Sequence, residues 1–160
     1  KWGGMEKVGA NLDDVFVRSV VNIIRQRFGS LATALIAEGK KDKAVEVLDK
    51  VLEVTPSENV VFDVPMYSVA MAYYQADAFE KGNLVAEKII DNFLSNIDYY
   101  YSLEDTDRAR FTREIEQAQD LSQRLIYFSG VQFGQKEFSE KMNAKFSETL
   151  NRNGIAPLRN

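Results

Sequence analysis

The stretch from Phe28 to Pro56, FGSLATALIAEGKKDKAVEVLDKVLEVTP, constrains the fold of this chain more than any other. Leading into it, Val17, Val20, Val21, Ile24, Phe28, Leu31, Ala32 and Leu35 recur at three- and four-residue steps. That spacing puts them on one side of an α-helix of about seven turns. A second apolar stripe, Ala44, Val45, Val47, Leu48, Val51 and Leu52, follows from about Asp42 to Val54. Gly39 is a C-cap candidate, because glycine takes the left-handed conformation without a Cβ penalty. Asp42 is placed to cap the second helix, and Pro56 lies just past its end. Two amphipathic helices joined by Gly39-Lys40-Lys41-Asp42 form a hairpin, and a hairpin of this kind buries its apolar faces by stacking on neighbours.

The spacing within the hairpin follows the tetratricopeptide repeat of roughly 34 residues. With Ala44 at the twentieth position, Phe28, Leu31, Ala32 and Leu35 fall on the fourth, seventh, eighth and eleventh. Gly39, Leu48, Val51 and Pro56 fall on the fifteenth, twenty-fourth, twenty-seventh and thirty-second. Small residues at Ala32 and Ala44 let the two helices approach, and the large ones fill the spaces between. After the connector SENVVFDVP, whose Val60, Val61 and Phe62 are expected to tuck against the helices, the theme returns. Val69, Ala70 and Tyr73 occupy corresponding positions in a helix from about Met66 to Gln75, and Ala70 lies 38 residues after Ala32. The next helix, from about Phe79 to Leu94, carries Gly82 where the pattern wants alanine, then Ala86 and Ile89 in register.

The remaining chain reads as capping structure. Tyr99-Tyr100-Tyr101 leads to Glu104-Asp105-Thr106-Asp107, a hinge with N-cap chemistry, and then to a helix from about Arg108 to Phe128. On a helix consecutive residues point about 100° apart, so the three tyrosines cannot share a face and at least one is expected in the core. Gly130 and Gly134 interrupt before a last helix, about Glu137 to Leu150, with Phe138, Met142, Phe146 and Leu150 at steps of four. Its flanks carry mixed charge, which favours packing on protein over a membrane surface. The expected architecture is all-α: a tetratricopeptide-like array of about two helical hairpins with C-terminal capping helices. Residues 1–12 form an irregular N-terminal segment with Asn11, Asp13 and Asp14 supplying N-cap candidates at its end, residues 13–128 the helical domain, and residues 129–160 a C-terminal helix with a polar, frayed tail from Asn151.

Composition removes several function classes. The chain has no cysteine and no histidine. It therefore has no zinc site of the Cys/His kind, no thiol nucleophile and no serine–histidine triad. The acids Glu104, Asp105 and Asp107 lack the spaced ligands of a calcium loop, and helix capping accounts for them. No catalytic residue, metal site or cofactor is expected. A net charge of −4 with no basic run argues against nucleic acid as a partner. No apolar run approaches the ~20 residues of a membrane span, so direct membrane insertion is not expected of these residues.

A resemblance extends this reading. The segments ALIAEGKKDKAVEVLDKVLEVTP, VPMYSVAMAYYQADAFEKGNLVAEKI, DYYYSL and EIEQAQDLSQRL occur in that order. Together they resemble the C-terminal region of a family of multi-pass bacterial membrane proteins, domain of unknown function 2723, which is regarded as glycosyltransferase-like. The resemblance covers roughly residues 11–127, with Trp2-Gly3-Gly4 and Asn11-Leu12-Asp13 also fitting. It implies that the chain, which opens on Lys1 and not on methionine, is the helical appendage of a larger protein. The membrane-embedded part would lie upstream, and the appendage would sit in the cell envelope on the periplasmic side of the inner membrane.

Arrays of this kind bind partners along the first helix of each hairpin. That register selects Gln26, Thr33 and Ile36 from one hairpin and Tyr67, Met71 and Tyr74 from the next. Tyrosine and methionine suit recognition, offering large adaptable contact area. The other reading of Tyr67, Met71 and Tyr74 is that they pack inside the fold, as aromatics at helical spacing commonly do. The expected function is non-catalytic: a protein–protein interaction or assembly module whose partner is another protein, the upstream membrane domain or a second copy. The alternative is a glycan- or acceptor-binding accessory domain of a glycosyltransferase.

Overall fold

A computed structural model of the chain describes residues 6–9 and 15–156. The expected caps Asn11, Asp13 and Asp14 and the Trp2-Gly3-Gly4 segment lie outside the described residues. The structure is all-helical, about 80% helix, with no strand among the described residues. The chain divides into two compact units, residues 1–85 and 86–160.

The first unit contains α1 (Val15–Ala37), α2 (Lys41–Val54), a 3-10 turn (Val64–Met66), α3 (Tyr67–Gln75) and the opening turns of α4 (Phe79–Tyr101). Gly39, with φ +75°, ends α1. Its N–H donates to the Ile36 carbonyl and that of Lys40 to Leu35, both at 2.9 Å, the bond pair of a Schellman cap. The same pair recurs at the end of α3, from Asp77 to Tyr74 and from Ala78 to Tyr73. There the left-handed position, φ 61°, is held by an aspartate, whose carboxylate pairs with Lys41. Asp42 does not cap α2: Lys40 occupies the N-cap with no side-chain bond, and Asp42 lies in the first turn.

Ala32, Ala44, Leu48, Val51, Val69, Ala70 and Tyr73 are fully buried. The small residues act where expected, and a further close approach joins α1 to α3. A Cβ on Gly29 would lie 2.6 Å from Ser68 Oγ, so a larger residue there would force the serine hydroxyl to turn away. α1 continues through Gly29 as one helix. Tyr73, Asp49 and Lys81 tie three helices together. The Tyr73 hydroxyl donates to Asp49 at 2.9 Å, and Lys81 contacts both oxygens of the same carboxylate at 2.7 and 2.8 Å. Burial, with the neighbouring Asp49, pushes the Tyr73 phenol far above its ordinary range.

The connector between the hairpins is organised around Arg25. This residue, 0% exposed, stands inside the apolar stripe of α1. It donates to Thr55 Oγ1 (3.2 Å) and to the carbonyls of Thr55 (2.9 Å), Val60 (2.6 Å) and Val61 (2.9 Å). Its guanidinium carbon lies 4.9 Å from the centroid of the Phe62 ring. Val60 and Phe62 are buried as expected, whereas Val61 is exposed.

In the second unit, α4 continues with Ala86, Ile89, Ile90, Phe93 and Ile97 buried. It extends through the three tyrosines to Tyr101, seven residues past its expected end at Leu94. The expected helix from Arg108 to Phe128 is several pieces: α5 (Asp105–Arg108), a 3-10 turn (Ala109–Phe111), α6 (Thr112–Tyr127) and a π-helical turn (Phe128–Gln132). Glu104 is the N-cap of α5 without a side-chain bond, so Asp105 and Asp107 are first-turn residues and not caps. The π turn carries the chain across Gly130, with Phe133 N–H donating to the Phe128 carbonyl five residues back. The Ile126 carbonyl accepts from Ser129 Oγ and Ser139 Oγ, at 3.0 and 2.9 Å. Gly130 is needed here, since a Cβ would meet Ser139 Oγ at 2.5 Å. The last helix, α7 (Lys136–Arg152), buries Met142, Phe146 and Leu150. α7 runs past the expected end at Leu150, and Arg152 and Asn153 both bond Asp98; the end of the tail expected to fray, residues 157–160, lies outside the described residues.

Two stability predictions follow from the first unit. Replacing Arg25 with methionine keeps the bulk of the side chain and leaves three connector carbonyls unpaired. Urea unfolding is expected to show a loss of about 2–4 kcal/mol, with Arg25→Lys recovering little because one ammonium cannot span the set. A loss below about 1 kcal/mol would mean that the connector is held by its apolar residues alone. At the two caps, Gly39→Ala is expected to cost about 1 kcal/mol, while Asp77→Gly gains a few tenths to about 1 kcal/mol by releasing the left-handed strain. Thermal melts of the two variants moving in the same direction would refute that reading.

Candidate functional site

The residues selected as a groove meet different fates. Gln26 and Thr33 are exposed on α1, and Ile36 is half-buried there. Tyr67 and Met71 are half-buried on α3. These five border the contact at which Gly29 meets Ser68: Gln26 and Thr33 lie three before and four after Gly29, while Tyr67 and Met71 bracket Ser68. The structure therefore brings them onto neighbouring helices.

Tyr74 does not join them. It is 0% exposed, and its hydroxyl donates to Asn83 Oδ1 at 2.8 Å. Its ring lies across Gly82, where an added Cβ would come within 2.9 Å of ring carbons. The glycine standing in place of alanine thus makes room for Tyr74, and the consequence is that Tyr74 belongs to the core. The five residues left at the surface offer hydroxyl, amide, thioether and apolar groups and no charge. The arrangement suits contact with a macromolecule and contains no acid–base pair.

Two clefts of the second unit combine aromatic and charged lining. The larger, about 740 Å³, lies beside the π turn, with Ile126 and Phe128 as apolar lining and the Asp120–Arg124 ion pair among its polar groups. Tyr127 and Val131, 58% and 68% exposed, also line it. The smaller, about 420 Å³, is lined by Tyr101, Arg108, Thr112, Glu116 and Gln119 among others. The expectation that one of the three tyrosines is core fails. Tyr99 is exposed, Tyr100 stacks on Phe111 at 4.5 Å between centroids, and Tyr101 lies under the Arg108 guanidinium at 4.8 Å. Lateral contacts satisfy the last two rings without full burial.

An electrostatic feature that hydrophobic periodicity passes over joins α4 to α7. Lys141 meets Glu87 at 2.7 Å, Lys145 meets Glu87 and Asp91 at 3.1 and 2.9 Å, and Arg152 meets Asp98 at 2.6 Å. The closest partners, 87 with 141, 91 with 145 and 98 with 152, keep one offset, so the two helices run in the same direction. Hydrogen bonds from Lys141 and Lys145 hold Glu87 below the usual carboxylate range against the opposing effect of burial. Burial pushes Asp98 up, but Arg152 and Asn153 outweigh it and its net shift is downward. The signal was present in sequence as Glu87/Asp91 and Lys141/Lys145, two pairs at four-residue spacing.

Among the described residues no group of three or more Asp and Glu side chains could hold a metal ion. No helix among them is long and apolar enough to cross a membrane. No family model, no curated protein and no solved structure matches the chain.

The depressed carboxylates set a pH dependence. A carboxylate whose folded pKa lies below its unfolded value stabilises the fold above the unfolded pKa, and that contribution is lost as pH falls through the folded one. Urea midpoints are therefore expected to fall from about pH 5 downwards, and Glu87→Gln to flatten that fall while lowering the neutral plateau slightly. An identical acid limb in wild type and Glu87→Gln would remove Glu87 from the account.

Proposed function

We propose that this chain is a non-catalytic protein–protein interaction or assembly module with a tetratricopeptide-like arrangement of helical hairpins. The observation that carries the reading is the contact of α1 and α3 at Gly29 and Ser68, bordered by Gln26, Thr33, Ile36, Tyr67 and Met71. Support for the repeat comes from the 38-residue recurrence of Ala32 at Ala70, Gly39 at Asp77 and Ala44 at Gly82, each pair with a matching local role. Half-buried tyrosine and methionine beside exposed polar groups are the mixture that interface centres favour. On the family resemblance, we propose a place in the bacterial cell envelope, with the module serving a larger membrane protein and the partner being that protein or one associated with it.

The test is crosslinking capture from solubilised bacterial envelope with the full chain as bait, comparing wild type with Tyr67→Ala/Met71→Ala. Circular dichroism establishes that the variant is folded, and Tyr74 is left intact because it supports the core. A defined protein captured by wild type and reduced at least about tenfold in the variant is the expected result. Equal capture by both moves the interface off α1 and α3, and no captured protein removes the interaction reading.

A further inference from the structure

The end of α7 carries the one Asn-Gly dipeptide of the sequence, Asn153-Gly154. Asparagine followed by glycine is among the least durable pairs in a protein chain, because the glycine nitrogen can reach the asparagine side chain with no Cβ in the way. Here the pair is built into a Schellman cap. Gly154, with φ +65°, donates to the Asn151 carbonyl at 3.2 Å, and Ile155 donates to the Leu150 carbonyl at 2.9 Å. The Asn153 side-chain amide donates to Asp98 Oδ1 at 2.6 Å and to the Thr149 carbonyl at 2.9 Å. Arg152 holds the other oxygen of Asp98, also at 2.6 Å. The ψ of 3° at Asn153 turns the Gly154 nitrogen away from the Asn153 side chain. An approach of the two therefore needs a large rotation at that bond, which breaks the cap.

We propose that Asn153 is a self-modification site, converted by the Gly154 amide to aspartate or isoaspartate, and that Asp98 guards it by holding its side chain. In the reaction the Gly154 nitrogen gives up its proton to solvent and bonds to Asn153 Cγ. The Cγ–Nδ2 bond breaks, and Nδ2 takes a proton from water and leaves as ammonia. The product is a five-membered imide. Water then adds to one ring carbonyl and reopens the ring: at the side-chain carbonyl it gives aspartate, at the main-chain carbonyl isoaspartate. The net change is ammonia lost and water gained. The product cannot rebuild the guard. An aspartate oxygen facing Asp98 Oδ1 and the Thr149 carbonyl is an acceptor among acceptors, so both side-chain bonds are lost and two carboxylates compete for Arg152. Isoaspartate instead lengthens the main chain by one carbon and carries the Gly154 N–H out of the cap. Either product frees the end of α7 from Asp98, and neither returns to asparagine, so the change runs one way. This site joins α7 to α4 and is independent of the α1 and α3 surface, so either can fail alone.

The test holds the full chain at neutral pH and follows conversion at Asn153 by fragment mass spectrometry. The capped free peptide spanning Glu148 to Ala156 supplies the unguarded rate. Wild type is expected to convert at least about tenfold more slowly than the peptide, since the cap and the side-chain bonds must open first. Asp98→Ala, shown by circular dichroism to stay folded, is expected to recover most of that difference. Glu87→Gln loosens the same helix pair away from Asn153 and is expected to convert at the wild-type rate. In Asn153→Asp, amide hydrogen exchange at residues 153–155 is expected to be at least about tenfold faster than in wild type. Wild type converting as fast as the peptide would overturn the guard. So would an equal acceleration by Glu87→Gln and Asp98→Ala, which would mean general loosening of the helix pair. Asp98→Ala converting no faster than wild type would remove Asp98 from this role, and unchanged exchange in Asn153→Asp would remove the release of α7.

Discussion

Arg25 stands where a bulky apolar residue would serve the helix, and the structure of the whole first unit depends on its staying there. A charged side chain with no exposed surface is expensive, and burial lowers Arg25 to about 10 against the opposing pull of Asp63. The cost is met because the guanidinium replaces secondary structure. Residues 55–63 belong to no helix, and a buried connector must place its carbonyls on some donor. Arg25 supplies donors in a fixed planar fork to three of them and to the Thr55 hydroxyl at once. Thr55 in turn donates to the Val51 carbonyl, which joins the set to the end of α2. A polar cluster of this kind specifies one connector path where apolar residues alone would allow several.

The close approaches form a second layer of specification. Gly29 against Ser68 and Gly82 against the Tyr74 ring lie on different sides of α3, so that helix is approached closely on both sides at glycine positions. Small residues here do more than permit contact: they decide which neighbouring side chain is drawn inward. The same logic operates in the second unit, where Gly130 admits Ser139 to the π turn and the serine then satisfies the carbonyl exposed by that turn.

Helix positions were legible in sequence wherever an apolar stripe had a regular period. The alanines at 32, 44 and 70, the Gly39 cap and the stripe of α7 appear in the structure in their expected roles, and so does the stripe of α1 except at Leu31, which faces out and is 50% exposed. What escaped was polar chemistry inside apolar surroundings. Arg25 was in phase with Val21, Phe28 and Ala32, but a charged residue in a hydrophobic stripe reads as a solvated one unless the carbonyls awaiting it are known. Those carbonyls belong to residues about 30 or more positions away. Tyr74 failed for a similar reason: its register placed it on a groove face, and only the space above Gly82 shows that it turns inward. The breaks around α5 and the π turn also escaped, because 3-10, α and π turns share nearly the same apolar spacing over one or two turns.

The ion pairs between α4 and α7 bear on a problem that their individual strength would not suggest. An apolar stripe that repeats every four residues, as Met142, Phe146 and Leu150 do, looks nearly the same after a slide of one helical turn. Packing alone therefore leaves α7 with several similar seats along α4. A slide of one turn would set Lys145 opposite Ser95 and deprive Arg152 of Asp98. Exposed pairs of this kind contribute little to stability. Spaced unevenly along the helix, at 87, 91 and 98, they work as the teeth of a key: one alignment engages all three, and a slide of one turn either way keeps only one.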